Sequence, residues 1–334
     1  MITAKNYAAQ AEKDLKTAFK AMCLEKDFER VTSIFTNEIK NAVHFALPDT
    51  GVIFDDAKKG IRGEKVRIPF PKITVEYYCP DVEDREDDLV WASKRLILAE
   101  ELTTQQLIKN IAHSLEDTEY SYISESIKNF EDDDIWIAIH AAAYYPHVNL
   151  WTPDAVGWIL PSAWDEPFMK KFQSITDRET DYRGKGAEMY GFPVLLCPEL
   201  IELGSKIDGD DVLKMGIKDI ASEVSALLEL SEALSCSNVH HKVIEPINYT
   251  VNQRRIRDGK VPMYETRTLW IDVPEGSKDS GDWQGGTHRS PRQHLRRGHI
   301  RNLQTGKKVW VNAAVIGAKE NGVIGKDYAI KELA

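Results

Sequence analysis

The sequence predicts an α+β protein in which helices pack on a mixed sheet and a small, basic, β-rich module follows at the C-terminal end. Two long apolar stripes with helical spacing, one near the N-terminus and one after residue 210, predict the helices. Short runs of β-branched and aromatic residues between them predict the sheet. The charge predicts the module: the chain carries −10, whereas residues 251–334 hold 16 Lys/Arg and 9 Asp/Glu and carry +7. We therefore divide the chain into an acidic body, residues 1–240, and a basic module, residues 241–334.

The composition is that of a soluble globular protein, with 42% hydrophobic and 29% charged residues. No stretch reaches the roughly 18 uncharged apolar residues that a membrane helix needs, and we expect no secretory signal. The four cysteines form no C-x-x-C pair, which predicts reduced thiols and a cytoplasmic protein. The motifs of P-loop ATPases, dinucleotide enzymes, zinc proteases and nucleophile-elbow hydrolases are absent from the sequence, so we predict no cofactor.

The first elements of the body are predicted to be helices. Six apolar residues at spacings of three and four, from Ala8 to Met22, predict an N-terminal helix. A second helix is predicted from about Asp27 to His44, closed by the turn Leu47–Gly51. Three strands are predicted after this turn, at Gly51–Phe54, Lys65–Ile68 and Lys72–Tyr78.

The rest of the body is predicted to contain two more helices among short strands. Thr103 or Thr104 is a candidate cap for a helix through Ile111. Strands are predicted at Ile135–Ile139, Val156–Leu160 and Phe192–Cys197, with a long exposed loop at Phe172–Gly191. The longest predicted helix is Asp211–Ser235, whose stripe of aliphatic residues suits packing on a sheet.

Strands and basic turns dominate the module. Strands are predicted at Tyr264–Val273, Lys308–Val315 and Val323–Ile330. Gln304–Lys307 is typical of a hairpin turn that returns Lys308–Val311 alongside Ile300–Leu303. His and Arg side chains would then crowd one face of a small antiparallel sheet. The residues from Gly286 to Trp310 contain seven Lys/Arg and no acid, and such clustered cations indicate contact with a polyanion.

Nucleic-acid binding is the leading interpretation of this cluster, because phosphate binding needs only suitably placed Arg and Lys side chains. The residues predicted to bind nucleic acid are Arg289, Arg292, Arg296, Arg297, Arg301, Lys307 and Lys308. A second basic group, Asn252–Lys260, is either a solvated, turn-forming linker or an extension of the same surface. The extension would use Arg254, Arg255 and Arg257.

Three alternatives stay open for the histidines of the module. A metal-independent nuclease needs a general acid, a general base and cations for the charge on phosphorus. Its catalytic residues would be His294, His299, Arg296, Arg301, Lys326 and Tyr328. A zinc site from His288, His294 and His299 has a spacing unlike known zinc motifs. In the third alternative the histidines have no functional role and only form hydrogen bonds with neighbouring residues on a solvated hairpin.

A metal site is also conceivable at the end of the long helix, where Cys236, His240 and His241 lie close in sequence. These residues offer three ligands but no fourth at a usual spacing, so we interpret them as a chance grouping at a helix end. The prediction for the whole chain therefore contains no metal.

Several segments resemble a pattern found in uncharacterised proteins of tailed bacteriophages and prophages. The segments are Ile68–Glu76, Leu234–Val239, Asn252–Lys260, the HLRRGH motif His294–His299, and Gly322–Tyr328. The resemblance implies a phage or prophage source and a bacterial host cytoplasm. It implies no activity and supplies no catalytic residues.

The function predicted from these observations is nucleic-acid binding by the C-terminal module of a phage-type cytoplasmic protein. The alternatives are the nuclease and a non-catalytic protein-interaction role, such as host takeover or anti-defence. In the interaction role the acidic body would mimic nucleic acid or bind the basic module of a second copy, so self-association is one predicted partnership. No membrane partner is expected.

Overall fold

The molecule is built around a mixed sheet of nine strands with helices on both faces, which confirms the predicted α+β class. The computed structural model describes residues 6–22, 25–53, 66–80, 92–115, 127–162, 191–196, 212–245, 248–271, 292–296, 299–311, 314–316 and 318–323. The strands of the sheet are β1 (Val43–Ala46), β2 (Lys72–Tyr78), β3 (Lys94–Thr103), β4 (Ile135–Tyr145), β5 (Leu150–Pro153), β6 (Val156–Pro161), β7 (Phe192–Leu195), β8 (Val239–Glu245) and β9 (Thr266–Ile271).

The strand order is β7-β6-β4-β3-β2-β1-β9-β8, with β5 beside β4. β1 pairs in parallel with both of its neighbours, and the other pairs are antiparallel. Because helices cover both faces, central strands such as β6 are buried along their whole length rather than alternately. The helical elements are α1 (Tyr7–Met22), α2 (Glu25–Val31), a π-helix (Thr32–Thr36), α3 (Asn37–Ile39), α4 (Thr104–Leu115), α5 (Val212–Leu234) and α6 (Tyr249–Arg257).

The two faces of the sheet bury separate apolar clusters. On one face, α1 places Leu15 and Phe19 in a cluster that includes Leu96 of β3 and Trp151 of β5. On the other face, α5 contributes its aliphatic stripe, including Leu227, to the larger cluster. Burying one such side chain contributes about 1.5–3 kcal/mol, so these two stripes decide where the helices dock.

A buried carboxylate fixes the start of α1. Glu76 of β2 is almost completely buried, and its side chain lies on the face of the sheet that α1 covers. Its Oε2 accepts a hydrogen bond from the Tyr7 backbone N–H at 2.7 Å, and its Oε1 accepts one from Asn6 N–H at 3.1 Å. The negative charge thus satisfies N–H groups that have no partner within the helix and complements the positive end of its dipole.

Strong periodic signals in the sequence predicted most of the body correctly. The N-terminal helix and the helix predicted at Asp211–Ser235 are confirmed as α1 and α5, each within one or two residues of its predicted bounds. The strand Lys72–Tyr78 is confirmed with its bounds unchanged. The strands predicted at Ile135–Ile139, Val156–Leu160 and Phe192–Cys197 are confirmed as β4, β6 and β7, and β4 continues to Tyr145.

The predictions for residues 39–68 were partly wrong. The second helix ends at Ile39 after a π-helical turn, and His44 lies in β1, where it pairs with Thr74 on one side and Thr266 on the other. The spacing of apolar residues predicted a helix through His44, but residues 43–46 instead form hydrogen bonds to two strands that are distant in sequence. The described parts of the strands predicted at Gly51–Phe54 and Lys65–Ile68, residues 51–53 and 66–68, form no strand.

The predicted boundary at residues 240/241 falls inside β8. Both β8 and β9 extend the sheet of the body, because β9 pairs with β1. Beyond them are two small sheets: one joins β10 (Arg292–Arg296), β13 (Ala314–Ile316) and β14 (Ala318–Val323), and the other joins β11 (His299–Asn302) and β12 (Lys308–Val311). The predicted hairpin is confirmed, with Ile300 opposite Trp310. Residues 172–190 of the loop predicted at Phe172–Gly191, and residues 324–330 of the strand predicted at Val323–Ile330, lie outside the described residues.

Within the part of the chain that the structure describes, no helix is both long and apolar enough to cross a membrane.

Candidate functional site

The residues that the sequence predicted to bind nucleic acid lie on both small sheets. Arg292, His294 and Arg296 belong to the backbone of β10, whereas His299 and Arg301 belong to β11. Because β10 pairs with β13 and β14 and β11 pairs with β12, the two histidines lie in different sheets and not in the single sheet that was predicted. Four predicted site residues lie outside the described part of the chain: Arg289, Arg297, Lys326 and Tyr328.

The β11–β12 hairpin is fastened to the body at the start of β8. The Asn238 amide donates to the Trp310 carbonyl oxygen at 3.0 Å and accepts from the Trp310 N–H at 2.8 Å. Trp310 is buried with Cys236 and Val239. Lys308 donates to Glu232 of α5 at 2.8 Å, so this predicted phosphate contact already has an intramolecular partner. Arg301 and Lys307, by contrast, are exposed.

Helix α6, which connects β8 to β9, is the most unusual part of the surface because it buries none of its residues. Arg254 and Arg257 leave 78% and 76% of their side chains exposed. Tyr249 is 74% exposed. The acid within this segment, Asp258, follows the helix directly and lies 3.4 Å from Arg257 and 3.9 Å from Arg254. The sequence alone left Asn252–Lys260 as a turn-forming linker or a basic extension, and most of it is this helix.

Hydrogen bonds from side chains, rather than apolar packing, hold α6 in place. Asn248 caps the helix by accepting from Val251 N–H at 3.1 Å. Asn252 donates to the Met263 carbonyl oxygen and accepts from its N–H, both at 2.8 Å. Arg255 donates through Nε to the Val261 carbonyl oxygen at 2.9 Å. The helix and the returning segment 261–263 therefore form one unit.

This unit is tied in turn to the start of α1. Asn6 donates to the Pro262 carbonyl oxygen at 2.8 Å and accepts from Tyr264 N–H at 3.1 Å. The Tyr264 ring stacks on His44 with a centroid separation of 4.5 Å. Burial lowers the pKa of His44 to about 4, so this imidazole is neutral at physiological pH and stacks as an uncharged ring.

The outermost strand of the sheet connects α6 to the hairpin. β8 leads towards α6 at one end, and the Ser237 N–H just before its other end donates to the Lys308 carbonyl oxygen at 3.0 Å. Between these ends, Lys242 Nζ lies 4.3 Å from the centroid of the Trp270 ring, which belongs to the neighbouring strand. Lys242 is exposed and Trp270 is 50% exposed.

We call the exposed cations along this edge the basic strip: Lys242, Arg254, Arg257, Lys260, Arg301 and Lys307. The strip has one cluster of cations at α6 (Arg254, Arg257 and Lys260) and another at the hairpin (Arg301 and Lys307). The seven residues of β8 span about 20 Å, so several phosphates of a nucleic-acid backbone fit between the two clusters. Apart from Lys242, each member lies in one of these two clusters. Of the described acids near this edge, Glu265 pairs with Arg267 at 2.8 Å, and Asp258 lies within 4 Å of Arg254 and Arg257 of the strip itself.

The potential metal site at Cys236, His240 and His241 is not formed among the described residues, which contain no group of three ligand side chains suited to a metal. Burial, followed by the charge of Glu232, raises the pKa of the Cys236 thiol to about 11, which opposes the thiolate that a metal needs. The His241 ring instead packs against Phe45 and Phe70, with centroids 5.9 and 5.3 Å away.

A second group of ionisable side chains, not expected from the sequence, is buried between the sheet and α5. Glu223 is completely buried, accepts from Ser222 Oγ at 2.8 Å and from Tyr77 Oη at 3.3 Å, and lies 3.2 Å from Arg95 Nη1. Asp154, in the turn between β5 and β6, is partly buried, and its Oδ2 atom is enclosed without a hydrogen-bond partner among the described residues.

Burial, followed by the charge of Glu223, raises the pKa of Asp154 to about 8. Burial also raises the pKa of Glu223, and Arg95 opposes that shift. At neutral pH the protonated Asp154 leaves the Arg95 guanidinium to balance Glu223, so these three groups can share the interior without an uncompensated charge. We assign this group a structural role.

Comparison with known proteins adds no relative: no protein-family profile matches the sequence, and no curated protein or solved structure matches the chain. The resemblance to phage proteins therefore stays a prediction from the sequence.

Proposed function

We propose that this protein binds nucleic acid along the basic strip, with α6 at one end of the contact and the β11–β12 hairpin at the other. The observation that carries the proposal is that α6 buries none of its residues yet is held to the returning segment 261–263 by side-chain hydrogen bonds. A helix that contributes nothing to a core, but presents arginines and a tyrosine in fixed positions, is suited to a partner with negative charge.

The distribution of the cations in the strip suits an extended chain of phosphates. Guanidinium groups bind phosphate oxygens in a bidentate manner, and Arg254, Arg257 and Arg301 are spread along an edge rather than gathered in one pocket. A linear polyanion satisfies such a distribution better than a small anion does. The predicted contacts Arg289, Arg292, Arg296 and Arg297 would add to the hairpin end of the strip.

The acidic remainder of the chain supports a directed contact. Residues 1–240 hold 26 of the 43 Lys/Arg but 43 of the 53 Asp/Glu, so the body repels a polyanion. Nucleic acid would thus be confined to the basic edge, and non-specific coating of the body would be suppressed.

The test is a binding titration of the purified full chain with labelled DNA and RNA, single- and double-stranded, in EDTA and separately in magnesium. We expect shifted, intact nucleic acid and an affinity that falls steeply between low and moderate salt. An affinity that does not change with salt, or no binding at low salt, would refute the proposal. Shortened products in EDTA would instead favour the metal-independent nuclease, and salt-dependent self-association without binding would favour the interaction role.

A further inference from the structure

We infer that the basic strip takes single-stranded rather than duplex nucleic acid and that it recognises unpaired bases at two places, Trp270 and a groove beside β8. This inference rests on the proposed function and specifies its substrate. Duplex binding through the backbone needs only cations, whereas single-strand binding combines cations with surfaces on which bases stack. The side chains that lie beside the cations therefore distinguish a single-strand site from a duplex site.

Apolar side chains accompany the cations along the strip. The described residues include eight large hydrophobic side chains that are exposed, and five of them lie between residues 249 and 303. These five are Tyr249, Val251, Ile256, Trp270 and Leu303. Exposed apolar surface concentrated next to arginines is not needed to contact a phosphate backbone, but it is what unpaired bases require.

Trp270 is positioned for base stacking. It lies on β9 one residue before the end of the strand, opposite His240 of the edge strand β8. Lys242 holds the ring by a cation–π contact at 4.3 Å and also places a positive charge beside it. A base stacked on the exposed part of the indole would have its own phosphate within reach of Lys242.

A groove of about 670 Å³ lies beside the same strand. It runs between α5, β8 and the segment before β2, and its walls include Ile68, Leu234, Val239, Ser235, Arg67 and His241. Its walls combine apolar and polar side chains, and the volume lies in the range of about 300–1,000 Å³ found for small-molecule sites. A base in a duplex cannot enter the groove, because it is stacked on both of its faces and paired along one edge.

The groove and the indole lie on opposite faces of the sheet at the β8 edge. Leu269 and Ile271 pack on the face that the groove borders, so Trp270, between them in β9, points to the other face. A single strand that crosses the edge at His240, which lines the groove and pairs with Trp270, would meet both features. Duplex, with its bases enclosed, would meet only the cations.

The experiment compares the affinities of the full chain for oligothymidylate, oligouridylate and a mixed-sequence duplex of the same length at one salt concentration. We expect both single strands to bind more tightly than the duplex. Trp270→Ala should weaken single-strand binding by about 5- to 150-fold, the range that stacking on one aromatic side chain contributes. It should change duplex binding by less than about twofold, because the cations are unaltered.

A second variant tests the groove, with a matched control. Ser235→Leu places an aliphatic side chain in the groove, without a new stacking surface, from an exposed position whose hydroxyl donates to the Glu232 carbonyl oxygen. Ser33→Leu makes the same change at an exposed serine of the π-helix, whose hydroxyl donates to the Arg30 carbonyl oxygen. We expect Ser235→Leu to reduce the preference for single strands and Ser33→Leu to leave it unchanged.

Two outcomes separate this inference from the proposed function. Equal, salt-dependent binding of duplex and single strands, unaffected by Trp270→Ala, would overturn the inference and leave the proposed function intact. Failure of every nucleic acid to bind at low salt would overturn the proposed function and the inference with it. Val148→Ala, at an exposed apolar residue away from the strip, controls for general loss of apolar surface.

Discussion

Asn252 and Met263 exchange two hydrogen bonds, each of 2.8 Å, between a side-chain amide and a backbone peptide group. The pair connects helix α6 to the chain that returns from it to the sheet. Since α6 buries no residue, these bonds take the place of the apolar contacts that normally fix a surface helix. The arginines of the basic strip are thereby presented in a defined arrangement before any partner binds, which reduces the entropy lost on binding.

Asn252→Ala should loosen α6 without unfolding the body. Two hydrogen bonds contribute about 1–3 kcal/mol together, and here they stabilise only the local unit. We expect amide hydrogen exchange of residues 249–258 to become at least about tenfold faster while the amides of β2 to β4 remain protected. Gln253→Ala, at the exposed neighbouring position, is the control. Unchanged exchange in the Asn252 variant would show that something else orders the helix.

Trp310→Ala should detach the β11–β12 hairpin from the body. The indole is 93% buried, as only 7% is exposed, in a small cluster with Cys236 and Val239. Loss of a buried tryptophan costs about 3–5 kcal/mol, which exceeds what the Lys308–Glu232 ion pair contributes. Exchange at residues 299–311 should rise, whereas Val309→Ala, on the opposite face of β12, should have a smaller effect. Retained protection of the hairpin in the tryptophan variant would contradict this assignment.

Asp154→Asn should make stability less dependent on pH. The pKa of Asp154 is about 8 in the folded protein and about 4 when unfolded, so the folded state binds the extra proton between these values. Its contribution to stability is therefore present below about pH 4 and is lost as the pH rises through 8, at up to about 1.4 kcal/mol per pH unit.

Chemical denaturation at a series of pH values measures this difference. The unfolding free energy of Asp154→Asn relative to the unmodified chain should increase as the pH rises from about 4 to 8 and then level off. Asp133→Asn, which removes a carboxylate from an exposed position, is the control for the loss of one acidic charge. A difference for Asp154→Asn that does not change with pH would contradict the raised pKa of its carboxyl.

The sequence was informative wherever a buried face repeats at a regular interval. Leu15 and Phe19 of α1 and the aliphatic stripe of α5 predict helices, because the burial of one helix face requires apolar residues at intervals of three or four. β1 escaped prediction because four residues carry too little pattern, and its parallel partners lie about 30 residues or more away in the chain. The spacing of apolar residues within one segment cannot predict a pairing between strands so far apart in the chain.

The candidate site was harder to predict for a related reason. α6 has no buried stripe, so its only local signals are the cap at Asn248 and the absence of helix breakers. Trp270 and Lys242 become neighbours only through the register of β8 with β9. Asp154 and Glu223 each resemble a solvated acid in the sequence, and their proximity depends on the docking of α5. The arginines of the module, in contrast, were evident from charge alone.

The salt dependence of the affinity measures how many phosphates the basic strip contacts. Each phosphate contact with single-stranded nucleic acid contributes about 0.7 to the slope of log affinity against log salt. Arg254 and Arg257 are both more than three-quarters exposed, so replacing them with alanine should leave the melting temperature unchanged. We predict that the double variant lowers the slope by about 1.4, whereas Lys20→Ala with Lys128→Ala, two exposed cations away from the strip, leaves it unchanged. Equal slopes for the two double variants would contradict nucleic-acid binding along the basic strip.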